Sequence, residues 1–540
     1  MRTVRGVLGH RAFPVCASAF GFVLALPALW VGLVVDDHVH RLVLQEAWDF
    51  SATALSPSDL FAFLDGDASR TQRLRDLGVI PWWSIDGLRI AFWRPISSLS
   101  HSLDYWLWPD SPALMHLHSL IWFGALALLV GLLYRRLHVV PWVAGLAALL
   151  YAVDDARAIP VGWVANRNAL LATCFGVACL IAHDRWRREG WRPGAVVGPG
   201  ALGCGLLAGE MAVGSLPYLL AHALFLDEGH RKQRLLGLVP YVVMTGIWMA
   251  AYRAMGYGTW GSGYYIDPGT EPLWFAGAVM ERFPILLLDQ WALPPSGIAV
   301  FLSPDGLRAL WIAGIVGTVV LAAIVLLLLR GSRLAGFWGS GMILSLVPAC
   351  ATVPNGRLLM FAGIGGMGLV AQVIAGDGEG TEARDNGRRR GILSRGLAGL
   401  FVVIHLVLAP VLLPFSVWNN AGSRPFVDVP ADSAPMDASV VDDEVVIVNP
   451  PFPFFAHYLQ TVRALKGGPI PGHVRVLAPG TRAVDVLRAD ERTLVITPER
   501  GFLSAPFDGL FRGDRYPVAP GDRVQLSGLT AEVLEATPSG

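Results

Sequence analysis

Apolar segments of roughly membrane-spanning length recur along the whole chain. An α-helix rises about 1.5 Å per residue, so about 20 apolar residues cross a hydrocarbon layer of about 30 Å. Several segments contain Gly or Pro, which membrane helices tolerate when neighbouring helices satisfy the freed backbone groups. The pattern predicts a mainly α-helical, polytopic transmembrane bundle of about eleven spans, at residues 13–35, 113–133, 139–153, 168–183, 195–208, 211–226, 235–252, 308–329, 335–351, 358–375 and 394–415.

The composition supports a membrane protein. Only 16% of the 540 residues are charged, and the mean hydropathy is +0.50. Soluble proteins carry about 25% charged residues, so this chain is too apolar to be mainly soluble. A net charge of zero and a pI near 7.2 give no sign of nucleic-acid binding. The five cysteines all lie in apolar segments, which predicts neither a disulfide framework nor a zinc site.

Basic residues fall in every second predicted loop, and this alternation predicts the orientation of the chain. The positive-inside rule assigns these loops, together with the N-terminus, to the cytoplasmic face. An ambiguous apolar stretch at 273–293 is interpreted as re-entrant or interfacial, because a full crossing would invert the later loops. The C-terminal region is then extracytoplasmic. The basic groups are at positions 135–136, 185–188, 231–234, 330–333 and 388–390.

Two regions outside the spans are long enough to have structure of their own. The first outer loop, residues 36–112, is far longer than ordinary connections. After the last span the composition shifts toward Pro, Asp, Val and Gly, and short strands are predicted at residues 444–448, 474–477, 492–496 and 522–526. We therefore expect a transmembrane domain over residues 1–420 and a small β-rich extracytoplasmic domain over residues 425–540.

Two adjacent carboxylates, Asp36 and Asp37, end the first apolar run. A carboxylate beside hydrocarbon is costly unless it faces a partner or water, and such acids mark functional sites. Partial desolvation and a neighbouring negative charge raise the pKa of a carboxyl group toward the range useful for a general base. The alternative is a solvated pair at a helix end.

Four ordered stretches within roughly the first 230 residues, and a thinner one later, carry a family resemblance. They are Val35-Asp36-Asp37, the segment 92–118 with Trp93-Arg94-Pro95 and His116-Leu117-His118, the segment 161–171 with Trp163 and Asn166-Arg167-Asn168, Gly209-Glu210-Met211-Ala212-Val213, and Pro354-Asn355-Gly356-Arg357-Leu358. Together they resemble the GT-C superfamily of polytopic membrane glycosyltransferases. The nearest likeness is to protein O-mannosyltransferases of the tetratricopeptide-associated type, although no such repeats follow here.

The chain departs from that family at several positions. Gly209 stands where the family has Lys before the glutamate, and Asp154-Asp155 replace a His-Pro pair. Asn355 stands where an acidic residue is common, and His118 where Asn is common. These departures leave the donor sugar and the acceptor open.

The resemblance implies an inverting transfer of a sugar from a polyprenyl-phosphate donor to an extracytoplasmic protein, lipid or envelope glycan. Asp36 is the expected base that takes the acceptor's hydroxyl proton. Asp37 is expected to assist it or to orient the acceptor. The leaving group is a lipid phosphate that cations should neutralise, and Arg357 is the first candidate by resemblance.

Four further residues are expected to bind substrate: Arg94, Arg167, Glu210 and His116. For the two arginines, a structural ion pair with an acid such as Glu210 is an equally good interpretation. Glu210 itself is expected to bind a sugar hydroxyl or to hold an arginine.

No cofactor is firmly predicted. A divalent cation is an alternative, because His38, His40, His116 and His118 could join the acidic pair as ligands, although plain hydrogen bonding explains these histidines equally well. Two functions other than glycosyl transfer stay open. In one, the chain is a non-enzymatic membrane protein, such as a lipid-linked-sugar transporter or an assembly scaffold. In the other, it is a family member that has lost catalysis.

Overall fold

The computed structural model describes residues 2–46, 53–376, 387–450, 453–479, 483–499, 501–503 and 507–536. Within these ranges, six helices are long and apolar enough to cross a membrane, which indicates an integral membrane protein. They are Phe13–Trp30, Pro112–Leu137, Val164–Glu189, Arg231–Ala254, Pro304–Leu329 and Gly391–Ser433. The expected count of about eleven spans is not confirmed, because four apolar helices have only 10–17 residues: Pro141–Val153, Gly194–Ala208, Glu210–Leu226 and Ala362–Ala375.

The first half of the chain is built from helices that begin and end at recognisable signals. The 26-residue helix α6 begins at a proline that needs no amide partner and ends with Arg135 and Arg136, whose charges favour a helix C-terminus. The helices are α1 (Arg2–Gly9), α2 (Phe13–Leu24), α3 (Asp36–Leu44), α4 (Ala68–Leu77), α5 (Pro95–Leu107), α6 (Pro112–Leu137), α7 (Pro141–Val153), α8 (Ala158–Gly162), α9 (Arg167–Glu189), α10 (Gly194–Ala208) and α11 (Ser215–Ala221).

The second half contains the helices with the most exposed apolar surface. Val242 and Leu326 are 66% and 70% exposed, as expected for side chains that face lipid. The helices are α12 (Arg231–Leu236), α13 (Val239–Ala254), α14 (Pro272–Trp291), α15 (Pro304–Leu329), α16 (Arg333–Ala349), α17 (Ala362–Ala375), α18 (Gly387–Val402), α19 (Ala409–Asn419), α20 (Arg424–Ser433), α21 (Pro453–Ala456) and α22 (Leu459–Lys466).

The main core lies between α6, α7, α9 and α17. Helix α17 is buried along most of its length and carries four glycines. At Gly365 the backbone of Trp338 on α16 comes so close that a Cβ atom would collide with its carbonyl oxygen. Small residues at such positions let membrane helices pack closely, which explains this glycine-rich sequence.

A three-stranded antiparallel sheet joins the first outer loop to the loop after α13. Its strands are β1 (Ala62–Asp65), β2 (Arg89–Ala91) and β3 (Gly258–Trp260), in that order. A small hydrophobic cluster packs with this sheet and includes one residue of the C-terminal region. Its buried members are Leu64, Leu74, Ile80, Leu88, Ile90 and Phe511.

The C-terminal region contains strands at all four predicted positions, but they do not form one sheet. Strands β4 (Glu444–Ile447) and β5 (His473–Val476) pair in parallel, whereas β6 (Val484–Arg488) with β7 (Leu494–Pro498) and β8 (Arg523–Leu526) with β9 (Leu529–Glu532) pair antiparallel. Helices α20, α21 and α22 belong to the same region. The expected β-rich domain is therefore not confirmed, and the division of the chain into domains stays a prediction.

Histidine side chains of the C-terminal region contact backbone carbonyl groups at the end of α4. The Nδ1 atom of His457 lies 2.7 Å from the Gly78 carbonyl oxygen, and Nδ1 of His473 lies 2.7 Å from the Asp76 carbonyl oxygen. Gly78 ends α4 with φ +85°, a left-handed conformation suited to glycine. A Cβ atom there would collide with the carbonyl oxygen of Val474 on β5.

We predict that Gly78→Ala loosens the C-terminal region from the first loop. The left-handed conformation costs about 1–3 kcal/mol for a non-glycine residue, and the collision adds to that cost. The measurements are the thermal unfolding temperature in detergent and the rate of proteolysis after residue 424. The matched control is Gly256→Ala, since Gly256 has the same φ of +85° with nothing within 4 Å of the added atom. Equal release of the region in both variants would contradict a role for the Val474 contact.

Candidate functional site

The start of α3 is held in an unusual backbone conformation. Val35, which precedes the helix, has φ +47° and ψ −118°, a conformation that β-branched residues rarely adopt and that costs about 1–3 kcal/mol. Asp37 bridges it: its Oδ2 accepts a hydrogen bond from the Val34 amide at 3.0 Å, and its Oδ1 accepts one from the Ala165 amide at 2.6 Å. The first bond closes a turn around Val35 and Asp36, and the second ties that turn to the backbone at Ala165.

Asp36 receives a hydrogen bond from the far end of the chain. The Tyr458 hydroxyl donates to Asp36 Oδ1 at 3.0 Å, across 422 positions of sequence. Burial raises the pKa of Asp36, and the bond from Tyr458 and the charges of Arg357 and Arg94 oppose that shift. Burial also raises the pKa of Asp37, to about 7. The resulting carboxyl group at position 36 is more basic than an ordinary aspartate.

Two cavities meet at Asp36. One, of about 400 Å³, is lined by the first loop and the C-terminal region, and we name it the loop chamber. The other, of about 360 Å³, reaches α13 and α16, and we name it the helix cavity. Both volumes are typical of small-molecule sites, at about 300–1,000 Å³. Asp37 lines neither. The residues that line both define the junction: Asp36, Phe63, Phe92, Trp163, Tyr265 and Arg357.

The helix cavity has a wall with unsatisfied polar groups. Four of its lining residues have a buried side-chain atom with no hydrogen-bond partner among the described residues. Buried polar groups in proteins nearly always have a partner, and these four atoms are exceptions that lie beneath the cavity surface, in residues that make this wall partly polar. The atoms are Nε1 of Trp163, Oδ1 of Asn166, Nε1 of Trp248 and Oγ1 of Thr352.

Arg357 is a cation at the junction that no acid neutralises directly. Its guanidinium lies 5.5 Å from the centre of the Trp163 ring and shares a hydrogen bond with Tyr265. In the part of the chain that the structure describes, no carboxylate forms an ion pair with it. An anion that enters either cavity as far as the junction therefore meets an available positive charge.

Arg94 and Glu210 both line the helix cavity and bind each other there. Two guanidinium nitrogens of Arg94 lie 2.8 Å from Glu210 Oε2. The same guanidinium lies 4.4 Å from the centre of the Phe92 ring, and the Tyr252 hydroxyl donates to Glu210 Oε1 at 3.4 Å. The interpretation of Arg94 as an ion-pair partner of Glu210 fits this geometry, and the pair still forms part of the cavity wall.

Arg167 and His116 lie in the framework behind the site. Arg167 is fully buried, and its guanidinium lies 2.6 Å from a carboxylate oxygen of Asp104, which is also fully buried. His116 is fully buried as well, with Nε2 2.8 Å from the Gly32 carbonyl oxygen. Neither residue lines the loop chamber or the helix cavity, so the expected direct contact with substrate is not supported for them.

The histidines considered as metal ligands have packing and hydrogen-bonding contacts instead. Among the described residues, no group of three or more His, Cys, Asp or Glu side chains could hold a metal ion. The His40 ring lies 4.9 Å from that of Phe61 and 5.1 Å from that of His101, and burial lowers the pKa of His40 to about 3. Nδ1 of His118 lies 2.7 Å from Asp104 Oδ1.

Three residues of the junction and its surroundings were not anticipated from the sequence. Trp163 lies within a stretch that carries the family resemblance, but nothing there assigns it a contact with Arg357. Tyr265 and Tyr458 lie in loops with no motif. A pattern confined to neighbouring positions cannot pair Tyr458 with Asp36, because only the folded chain brings them together.

Comparisons with known proteins give likenesses among solved structures but no match by sequence. No protein-family model matches the chain, and no curated protein matches it. Among solved structures, the chain is similar to the crystal structure of ArnT from Cupriavidus metallidurans bound to undecaprenyl phosphate, with 14% sequence identity and a TM-score of 0.36. The match covers 84% of this chain and 93% of that one. A likeness at this level does not identify a function.

We predict that Arg167 acts in folding rather than in substrate binding. Arg167→Met removes the guanidinium that pairs with the buried Asp104 carboxylate, and removing one partner of a buried ion pair typically costs about 3–5 kcal/mol. The protein yield in membranes and the unfolding temperature should fall. The double variant Arg167→Met with Asp104→Leu removes both charges and should recover part of the loss. A stable, well-expressed but inactive single variant would instead favour direct contact with substrate.

Proposed function

We propose that the protein is an inverting membrane glycosyltransferase of the GT-C type, which transfers a sugar from a polyprenyl-phosphate donor. One observation carries the proposal: Asp36 and Arg357 line both cavities at the point where the cavities meet. A displacement with inversion needs a base on one side of the reacting carbon and a stabilised leaving group on the other. A junction between two substrate-sized cavities, with a basic carboxylate and an unneutralised cation, meets that requirement.

In this reaction the acceptor's hydroxyl oxygen attacks the anomeric carbon of the sugar. Its proton passes to the Asp36 carboxylate, a new carbon–oxygen bond forms, and the bond from the anomeric carbon to the phosphate oxygen breaks. The bonding electron pair leaves with the polyprenyl phosphate, whose added negative charge Arg357 stabilises. Asp37 takes no proton and holds the backbone that aims Asp36.

The helix cavity is the better site for the donor. It reaches α13, which lies in one of the six membrane-length helices, through Trp248, and it reaches α16 through Ser345, so a polyprenyl chain has a path from the bilayer beside α13. Its polar lining residues, such as Asn166 and Asn168, and the Arg94–Glu210 pair suit a sugar and a phosphate. Undecaprenyl phosphate, the lipid in the ArnT structure, is therefore the first probe to use. The basic loops favour an extracytoplasmic site.

We predict that Asp36 sets the acid limb of the pH–activity profile. A base works only when ionised, so activity should fall as the pH drops through its raised pKa. Asp36→Asn should lower transfer from labelled polyprenyl-phosphate sugars by roughly 10²–10⁴-fold. Tyr458→Phe removes a hydrogen bond that lowers the pKa of Asp36, so its acid limb should move to higher pH.

The control for this pair is Asp110→Asn, because Asp110 lies in the same loop with a largely exposed side chain. Its profile should match the wild type. Full activity of Asp36→Asn, or an unmoved acid limb in an otherwise folded Tyr458→Phe protein, would contradict the assignment of the base.

We predict that Arg357 binds the lipid phosphate. Arg357→Gln removes a charged hydrogen-bond donor worth about 1.5–3 kcal/mol, which corresponds to roughly 10–100-fold weaker binding of undecaprenyl phosphate. Binding is measured with labelled lipid in nanodiscs. Arg41→Gln is the matched control, since Arg41 pairs with Asp110 at the surface. Equal affinity of the Arg357 variant and the wild type would contradict the proposed leaving-group site.

A further inference from the structure

The inner wall of the loop chamber is part of a hydrophobic core. Five of the six buried members of the cluster that packs with the three-stranded sheet line the chamber, and Val79 extends this surface. Protein cores are close-packed and leave few voids larger than a water molecule. A chamber of about 400 Å³ in such a core is therefore a binding volume. The lining members are Leu64, Leu74, Ile80, Ile90 and Phe511.

Full charge is confined to one end of the chamber. Among the described residues that line it, only Asp36 and Arg357 carry a full charge, and both belong to the junction. His457 also lines the chamber, but its Nδ1 lies 2.7 Å from a backbone carbonyl oxygen and burial lowers its pKa to about 4, so it is neutral at pH 7. Phe507 and Leu510 of the C-terminal region add further apolar surface.

Several polar side chains of the lining are already bonded within the protein. The Asn420 amide nitrogen donates to the Val417 carbonyl oxygen at 3.0 Å, and the Ser423 hydroxyl donates to the Asn420 carbonyl oxygen at 2.9 Å. The Tyr458 hydroxyl donates to Asp36. A peptide brings one donor and one acceptor per residue, and a glycan brings several hydroxyls. Burying those groups here without partners would be costly.

The chamber also begins where a membrane helix ends. Asn419, Asn420 and Ser423 line it and lie within the long helical segment Gly391–Ser433, at the end of α19 and directly after it. A molecule dissolved in the bilayer can reach the chamber beside this segment. A hydrophilic peptide or glycan does not dissolve in the bilayer and would not use such a route.

From these observations we infer that the loop chamber binds the acceptor and that the acceptor is an amphipathic lipid alcohol. Its hydroxyl group lies at Asp36, and its apolar body lies against the wall formed by Leu74, Val79 and Ile80. The inference rests on the proposed function for the role of Asp36, and it assigns the two substrates to separate cavities: the donor to the helix cavity and the acceptor to the loop chamber.

The test is photo-crosslinking of the full chain in nanodiscs with a diazirine-bearing hexadecanol. Labelling is mapped by peptide mass spectrometry, and undecaprenyl phosphate binding is measured on the same samples. The wild type should be labelled in the peptides that contain Leu74–Ile80 and Leu510–Phe511, and excess unlabelled hexadecanol should compete. Val79→Phe fills the chamber and should lower this labelling several-fold. The matched control Ile85→Phe enlarges a half-buried residue of the same cluster that does not line the chamber, and it should keep the labelling.

Labels confined to lipid-facing helices, or labelling that Val79→Phe does not change, would overturn the inference. Competition by a Ser- and Thr-containing peptide or by an oligosaccharide, with none by hexadecanol, would overturn it in favour of a protein or glycan acceptor. Failure of the proposed function has a different signature, namely no undecaprenyl phosphate binding by the wild type and no dependence of transfer on Asp36. Unchanged lipid binding in Val79→Phe separates a filled chamber from an unfolded protein.

Discussion

The two backbone hydrogen bonds accepted by Asp37 are the interaction on which the site depends. They tie the Val34 and Ala165 amides to one carboxylate and so hold Val35 in a conformation that it rarely adopts. Strained backbone of this kind persists only when the surroundings over-determine it, and it clusters at functional sites. Without the brace, relaxation at Val35 would turn Asp36 away from the junction. Under the proposed mechanism, Asp37 supports the backbone and Asp36 is the reacting carboxylate.

The two cavities differ in the chemistry of their walls, and that difference supports the proposal that donor and acceptor bind in separate cavities. The helix cavity has an arginine–glutamate pair in its wall, in addition to the charges at the junction. The described lining of the loop chamber carries a full charge only at the junction, and much of the rest of it is apolar. The C-terminal region forms part of the wall of the loop chamber, and its Tyr458 hydroxyl donates a hydrogen bond to Asp36. The contact at Gly78 holds the C-terminal region in place, and that region carries the tyrosine whose hydrogen bond lowers the pKa of Asp36.

The sequence was informative wherever a residue's chemistry conflicted with an apolar setting. Asp36 and Glu210 are identified in this way and Arg357 by the family resemblance, and all three line the cavities. Arg167 is also a charged residue in an apolar stretch, but it pairs with Asp104 behind the site. The sequence does not distinguish a buried charge that binds a substrate from one that pairs with another side chain. Tyr458 carries no local signal at all. The count of about eleven spans is not confirmed, because four apolar helices have only 10–17 residues and hydropathy does not separate such helices from full crossings.

The central claim is that a lipid phosphate lies between Arg357 and the reacting base. A cryo-electron microscopy structure of the full chain in nanodiscs with undecaprenyl phosphate tests it most directly. The account predicts density for the phosphate at the junction, within ion-pair distance of the Arg357 guanidinium, with the polyprenyl chain leaving past α13 or α16. A phosphate bound on the opposite face of the bundle, with the helix cavity free of lipid, would contradict it.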